Sequence, residues 1–340
     1  GDFNPDAMGV LLSNAKVGLI RFADGSLALN AEGVVEIVGI NGVSLAGTAS
    51  IRFNNSGQAV DQILTIPNTD SDIVVRFENA APFASFSATN VALTVAGQTL
   101  MGDFSFGTIS TGPYAGSIRV TAANVSLNLG DGAVTVNNAG GTLLMTDTGM
   151  AGDLMGTVTL NVPDVSLGGT FRVRINNTLA PVIDSGLGLD LPAGPYLRVD
   201  GTNVFIDVLG QRLSGDFAIE NMTDGAGGST TRIGFDNVEL SLGGGLVRLS
   251  QGSGIFVLTG GGLAGTFSAS VAVAPELGIT FEGAFSVSVN TTMSAVTDTF
   301  NVGDGVLMLD LPAGPYLRVA GTGIKLNVLG QTLSGDFSIE

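Results

Sequence analysis

The sequence predicts an all-β fold: a tandem-repeat antiparallel β array, elongated and double-layered like a β-sandwich or solenoid-like rod, with almost no helix. Three observations carry this. Gly accounts for 51 of 340 residues, twice the ~7 % of ordinary chains. It is interspersed with Val, Thr, Leu, Ser and Phe, the composition of many short strands joined by tight turns. Apolar residues alternate at period two through several segments, none follows the 3.6-residue period of an amphipathic helix, and whole phrases recur along the chain.

The recurrence is the strongest signal. Asp190–Glu220 reads DLPAGPYLRVDGTNVFIDVLGQRLSGDFAIE and Asp310–Glu340 reads DLPAGPYLRVAGTGIKLNVLGQTLSGDFSIE, with 23 identities in 31 positions. A weaker copy runs from Pro82-Phe83 through Thr89-Asn90-Val91 to Gly97-Gln98-Thr99-Leu100-Met101-Gly102-Asp103-Phe104. Gly-Asp-Phe begins at Gly1, Gly102, Gly215 and Gly335, which divides the chain into repeat units 1–101, 102–214 and 215–334, with 335–340 opening the next. A segment that starts and stops at one phase of its own repeat reads as part of a longer array. Asn-Val recurs at Asn90, Asn124, Asn203 and Asn237, giving the same 34-residue gap twice, so each unit reads as two related halves.

Taken in order, the best-preserved hairpin spans Val204 to Ile219. Alternation places Val204, Ile206 and Val208 on one face, with Leu213, Gly215, Phe217 and Ile219 on the same face of the returning strand. Gly210 at the first central position suits a type II′ turn, which pairs Val208 with Leu213, Ile206 with Gly215 and Val204 with Phe217. In the second copy the apolar face keeps its character as Ile324, Leu326 and Val328. The other face exchanges Phe205 and Asp207 for Lys325 and Asn327, an exchange that places that face in solvent. The same alternation runs through Asn237–Leu242 and Phe267–Val271. No Pro- or Ser-rich linker marks the Gly-Asp-Phe junctions, which favours one continuous array over separate sandwiches.

Charge and composition exclude several classes of function. Thirteen Lys and Arg against 30 Asp and Glu give a net charge of −17, the opposite of the basic footprint nucleic-acid binding requires. No stretch of 18 apolar residues provides a helical membrane span, and no secretion signal opens the chain. With no His and no Cys, the Ser-His-Asp and Cys-His nucleophiles and thiolate or imidazole zinc sites have no residues to build them. A glycosidase needs only two carboxylates, yet no carboxylate pair breaks the repeat, so the chain reads as non-catalytic. The Gly-rich runs at Gly243–Gly245 and Gly260–Gly262 lie between strand patterns and read as turns rather than phosphate loops.

Calcium is the metal to expect, because hard cations take several converging carboxylate and carbonyl oxygens. Asp184 and Asp190 recur in register as Asp304 and Asp310 around the loop before Leu-Pro-Ala-Gly-Pro-Tyr. Asp216 and Asp336 occupy the central place of Gly-Asp-Phe, as do Asp2 and Asp103. Asp184, Asp190, Asp216, Asp304, Asp310 and Asp336 are therefore the candidate calcium ligands. The competing account makes them solvated turn and strand-edge aspartates that discourage aggregation. Tyr114, Tyr196 and Tyr316, each after Gly-Pro, read as strand-start aromatics in the core more readily than as sugar-stacking rings. Asn-x-Ser/Thr occurs at Asn54, Asn124, Asn176, Asn221 and Asn290.

The phrases GPYLRVxGT and VLGQTLSGDFSIE resemble the repeats of very large bacterial secreted and cell-surface proteins, adhesin-like or matrix-forming, that carry long β-strand arrays. The resemblance implies secretion, a fibrous or stalk role and calcium-rich surroundings, and it identifies no binding residue. Together these readings lead to an expectation: a non-catalytic structural segment of an extracellular filament, stalk or surface matrix that self-associates. A tandem β-sandwich adhesin, binding glycans or a host surface through its loops, is the alternative.

Overall fold

A computed structural model describes residues 9–38, 43–67, 71–95, 98–109, 112–129, 134–146, 148–160, 165–208, 211–223, 228–275 and 278–340. They form twenty-three strands and no α-helix. Seventeen strands belong to extended antiparallel sheet and six to three separate two-stranded hairpins. No pairing among the described residues closes the sheet into a barrel. The all-β expectation is borne out. The Gly-Asp-Phe triplet at Gly1 lies outside the described residues.

The chain divides into two compact units, Gly1–Met150 and Ala151–Glu340. In the first, β1 (Gly9–Arg21), β2 (Leu27–Val38), β3 (Val43–Asn54), β6 (Phe83–Val95), β7 (Gln98–Thr108), β8 (Ile118–Leu129) and β9 (Val134–Thr146) pair antiparallel in chain order. Between β3 and β6 the chain makes a detour, the hairpin of β4 (Val60–Thr65) and β5 (Asp72–Phe77). β5 alternates strictly between exposed and buried. Its Ile73, Val75 and Phe77 face inward, and Val75 and Phe77 close with Val60 over Ala28 of the sheet.

In the second unit the sheet strands are β10 (Gly149–Leu160), β11 (Val165–Asn176), β14 (Tyr196–Val208), β15 (Gln211–Thr223), β16 (Ser229–Leu242), β17 (Val247–Thr259), β18 (Gly262–Val273), β19 (Ile279–Asn290), β22 (Tyr316–Val328) and β23 (Gln331–Ile339). These too pair antiparallel in chain order. Hairpin β12 (Val182–Asp184) with β13 (Leu189–Leu191) is inserted after β11, and hairpin β20 (Val296–Val302) with β21 (Gly305–Leu311) after β19. The core of this unit lies beneath the second hairpin: Phe300, Val302, Leu307, Leu309 and Leu311 pack on Ala218, Ile255, Val257 and Ala264. Small residues on the sheet leave room for large ones on the hairpin.

Each hairpin is anchored by a buried Asn at the end of the preceding strand. Asn176 donates to the carbonyls of Ala180 (2.9 Å) and Pro192 (2.7 Å), and its Oδ1 accepts from the N–H (2.9 Å) and hydroxyl (2.7 Å) of Thr178. Asn290 repeats the pattern with Ser294 (2.9 Å), Pro312 (2.7 Å) and Thr292 (2.9 and 2.7 Å). Asn54 does so with Gln58 (3.0 Å) and Ser56 (3.0 and 2.7 Å). A fully buried amide is tolerated only when its donors and acceptor are satisfied. Three of the five Asn-x-Ser/Thr sequences are therefore hairpin anchors, with the hydroxyl residue completing the turn.

Register corrects one expectation. Val208 pairs with Gln211, Ile206 with Leu213 and Val204 with Gly215, two residues away from the pairing a type II′ turn at Gly210-Gln211 gives. In the second copy Val328 pairs with Gln331, and the intervening Leu329 (φ 51°) and Gly330 (φ 79°) both have positive φ. That is a type I′ turn. Leu329 accepts the left-handed conformation at a cost of about 1 kcal/mol, because I′ geometry matches the right-handed twist of the flanking strands. Because the shift is two residues and not one, residues that share a face by alternation still share it. Which face is buried is the reverse of the expectation: the hairpin covers Ala218 on the charged alternation and leaves the Val204, Ile206 and Leu213 face half-exposed.

Candidate functional site

The most repeated constellation is built on β-bulges. Asn14, Asn90, Asn124, Asn138, Asn203, Asn237 and Gln251 all take φ between 51° and 54°, a left-handed conformation for which Asn is among the more tolerant side chains. Register shifts accompany them: Gly201 and Val204 of β14 flank two residues where β15 has one, Asp216. This is a bulge, which breaks the ladder and leaves a backbone N–H seeking a partner.

The Asp of Gly-Asp-Phe supplies it. Asp216 Oδ1 accepts the Asn203 backbone N–H at 2.7 Å from the preceding strand, and Oδ2 accepts the Asn237 side-chain amide at 3.0 Å from the following strand. Asp103 repeats both bonds with Asn90 (2.8 Å) and Asn124 (2.7 Å). Asp336 repeats the first with Gly323 at 2.7 Å. Charged acceptors make the stronger hydrogen bonds. The Asn124 amide, and after it the Asn90 N–H, hold the Asp103 carboxylate below its usual 3.8.

The flanking residues of the triplet follow from the same packing. A Cβ at Gly215 would stand 3.1 Å from Val238 Cα and 3.1 Å from the Asp236 carbonyl, so the bulge of the next strand leaves little room for a side chain there. Phe217 packs edge-on to Phe171 with ring centroids 5.7 Å apart. Gly-Asp-Phe is thus a three-strand clamp: one residue makes room, one bonds both neighbours, one fills the apolar face. β7 and β15 carry it in full, eight strands apart in chain order, and eight strands further β23 carries its first bond, from Gly323 to Asp336. Of the six candidate calcium ligands, Asp216 and Asp336 are clamp residues.

The other four lie on hairpins. Asp184 accepts the N–H groups of Gly186 (2.8 Å) and Leu187 (3.1 Å) and shapes the β12–β13 loop. Asp190 is exposed on β13 opposite Ile183. Asp310 is exposed on β21 and accepts from Thr297 at 3.4 Å. Asp304 is exposed in the β20–β21 turn. The flanks of that turn approach the sheet closely: a Cβ at Gly303 would stand 3.0 Å from Asp216 Oδ2, and one at Gly305 would stand 2.1 Å from Asp236 Oδ2. Asp216 and Asp236 also oppose each other across β15 and β16. The turn carrying Asp304 therefore sits over two of the clamp-region carboxylates. Among the described residues no three carboxylates converge as a ready cation site.

Sequence reasoning missed a second constellation, a ladder of alternating charge under the hairpins of the second unit. Arg174 bonds Asp200 (2.7 Å), Asp200 bonds Arg198 (2.7 Å), and Arg198 meets Glu220 at 3.4 Å. Glu220 then bonds Arg232 (3.0 Å), and Arg232 bonds Asp298 of β20 (2.6 Å). Arg198 also donates to the Asn301 carbonyl at 2.5 Å and stacks 4.6 Å over Phe300. Tyr196 donates to Glu220 at 3.2 Å; its burial, and then the Glu220 charge, push its pKa up to about 12. Burial alone raises the Asp200 pKa, but bonds from Arg198 and Arg174 outweigh it and leave the carboxyl below 3.8. Tyr196 is the core aromatic that the Gly-Pro-Tyr pattern predicts, 5 % exposed. Each ionised group is matched by an opposite charge, the condition under which charges are buried. The ladder fastens hairpin to sheet.

In the first unit one surface hollow of about 350 Å³ is lined by Arg52, Arg76, Phe77, Glu78, Asn79, Ala81 and Phe83. The Arg52 guanidinium lies 5.0 and 5.3 Å over the Phe77 and Phe83 rings.

No helix among the described residues is long and apolar enough to cross a membrane. No protein-family model, curated protein or solved structure matches this chain.

Proposed function

We propose that this chain is a non-catalytic structural segment of an extracellular filament, stalk or surface matrix, extended as a repeat array whose second layer comes from self-association. One observation carries the reading: the Asp of Gly-Asp-Phe takes a backbone N–H of the preceding strand's bulge on β7, β15 and β23, and on β7 and β15 also the Asn side chain of the following strand. Stability in such a chain is built from nearest-neighbour locks repeated along it, the energetics of a solenoid and not of a globule around one site. The extracellular setting rests on the resemblance of GPYLRVxGT and VLGQTLSGDFSIE to secreted β-strand arrays.

Calcium belongs to the same proposal. Gly303 and Gly305 of the β20–β21 turn lie close to the paired carboxylates Asp216 and Asp236. A hard cation there, with Asp304 of the same turn moving in as a further ligand, would relieve their mutual repulsion and pin hairpin to sheet. Small-angle scattering on the whole chain, in calcium and in EDTA, tests both parts. A globule of this length has a radius of gyration of about 20 Å. The array requires a clearly larger value and a rod-like profile, and a globular value overturns it. Structural calcium requires loosening in EDTA.

The adhesin reading has one observation in its favour. The hollow at Arg52, Phe77 and Phe83 combines exposed aromatic and polar groups, and Phe83 is 41 % exposed. Specific, saturable binding on a glycan array, abolished by Phe83→Ala, would place that reading first.

A further inference from the structure

The two faces of the second unit's sheet differ completely in charge. Following the register from β10 to β23, every Asp, Glu, Lys and Arg of its ten sheet strands lies on the alternation that faces the hairpins. The Arg172–Asp153 pair, the charged ladder, Glu239, Arg248 and the Lys325–Glu282 pair are all on that side. The opposite alternation carries no charged residue. Along it Val199, Ile219, Ile233 and Phe256 stand side by side on four consecutive strands. Leu197 is 45 % exposed, Leu213 41 %, Leu258 50 % and Leu317 56 %. A contiguous, half-exposed apolar face of this breadth marks an interaction surface.

We infer that this uncharged face is the contact between two copies of the chain, each supplying one layer of a two-layer β structure. The inference rests on the self-association reading and specifies its partner and geometry. Charge favours a second copy over an unlike partner. Any charged group set against this face would be buried without a counter-ion, and the chain carries a face without charge of its own. Stacking two such faces leaves both sets of charges outward, separated by two sheet layers and hence beyond the ~8 Å screening length. The net charge of −17 opposes close approach of charged surfaces, and this face carries none of that charge.

Area agrees. Ten strands at ~4.8 Å spacing, each about 12 residues long at ~3.3 Å per residue, present on the order of 1,900 Å². A standard stable interface needs roughly 800 Å² per partner. A two-fold axis makes one patch serve both copies. The apolar hollow of about 160 Å³ between Val204, Ile206, Leu213, Phe217, Phe235 and Val238 provides a recess for side chains of the facing layer.

The absence of cysteine makes the test clean. Single nitroxide labels are placed at Ile219→Cys on the uncharged face, Glu239→Cys on the charged face and Thr332→Cys on β23, in the full chain. Dipolar distances are measured at several protein concentrations, beside sedimentation equilibrium. Face-to-face packing at the ~10 Å sheet spacing predicts intermolecular distances under about 20 Å from Ile219→Cys and much longer ones from Glu239→Cys. Leu258→Glu should weaken association at least tenfold while leaving the far-ultraviolet spectrum unchanged. Short distances only from Thr332→Cys would replace this interface with strand addition at β23, leaving the filament reading standing. A chain that stays monomeric would overturn the inference, and with it self-association. So would an uncharged face occupied by lipid in native mass spectra.

Discussion

Asp103 holds Asn124 across neighbouring strands: its Oδ2 accepts the side-chain amide at 2.7 Å while Oδ1 takes the Asn90 N–H from the strand on the other side. One carboxylate thus fixes two bulges, and the arrangement returns at Asp216 with Asn203 and Asn237. The strongest repeat in the sequence is therefore a mechanical part.

Removing the clamp should cost stability. Asp216→Ala deletes two bonds to a charged acceptor, each contributing about 1.5–3 kcal/mol, so a loss of roughly 3–6 kcal/mol is expected. Asp216→Asn keeps one acceptor oxygen and should lose about half as much. Urea unfolding followed by circular dichroism checks both, and equal stability of all three chains would contradict the clamp.

The charged ladder contains its own control. Glu220 lies between Arg198 and Arg232 at 8 % exposure, so Glu220→Ala leaves two shielded guanidinium groups short of a partner and should cost about 3 kcal/mol. Its counterpart Glu340 pairs with Arg318 in solvent, where water and salt screen the two charges and the ordering of both side chains offsets their attraction. Glu340→Ala should be nearly silent in the same melting experiment.

Stability should fall at both ends of the pH scale. Asp103 and Asp200 ionise more readily folded than unfolded. Their contribution is complete above the ordinary carboxylate pKa and disappears as pH drops through the lower folded value. Tyr196 has the opposite sign: its folded pKa of about 12 exceeds the ordinary 10, so its contribution is complete below pH 10 and is lost between 10 and 12. Tyr196→Phe should flatten the alkaline limb of a melting-temperature profile and leave the acid limb in place.

Glycan attachment should avoid the hairpin anchors. Asn176 and Asn290 are 0 % exposed and Asn54 1 %, with both amide hydrogens of Asn176 and Asn290 engaged. In a glycosylating host, peptide mapping should find these three unmodified in folded protein, whereas Asn124 is exposed. Occupancy at Asn290 in soluble, folded chain would contradict the anchor.

Much of this architecture was legible in the residues. Alternation sorted Val204 and Ile206 from Lys325 and Asn327, because a period of two survives even a register error of two. It misassigned the core, however: the hairpin covers the alternation of Arg212, Ala218 and Glu220, and the Val204 face stays half-exposed. The turn was misjudged because Leu329 at positive φ is a choice the backbone twist makes and local propensity opposes. The hairpin detours were hidden for a different reason: β20 and β21 alternate just as sheet strands do, and only tertiary packing distinguishes a strand laid on a sheet from one inside it. Gly-Asp-Phe and the spacing from Asn203 to Asn237 were visible as repetition, but their meaning needed the bulge. The pairing of Arg198 with Glu220 links residues on adjacent strands, and no linear pattern announced which charges would meet.

In the second unit six strands, β14 to β19, separate one hairpin from the next. Six is even, so both detours leave from the same end of an antiparallel sheet. Gaining or losing a single strand by duplication or deletion would reverse the direction of every strand after it, sending the next detour to the far end, away from its Asn anchor. Change in pairs preserves polarity. Lineages carrying this architecture should consequently vary in length by whole β-hairpins, with breakpoints in turns such as Leu329-Gly330.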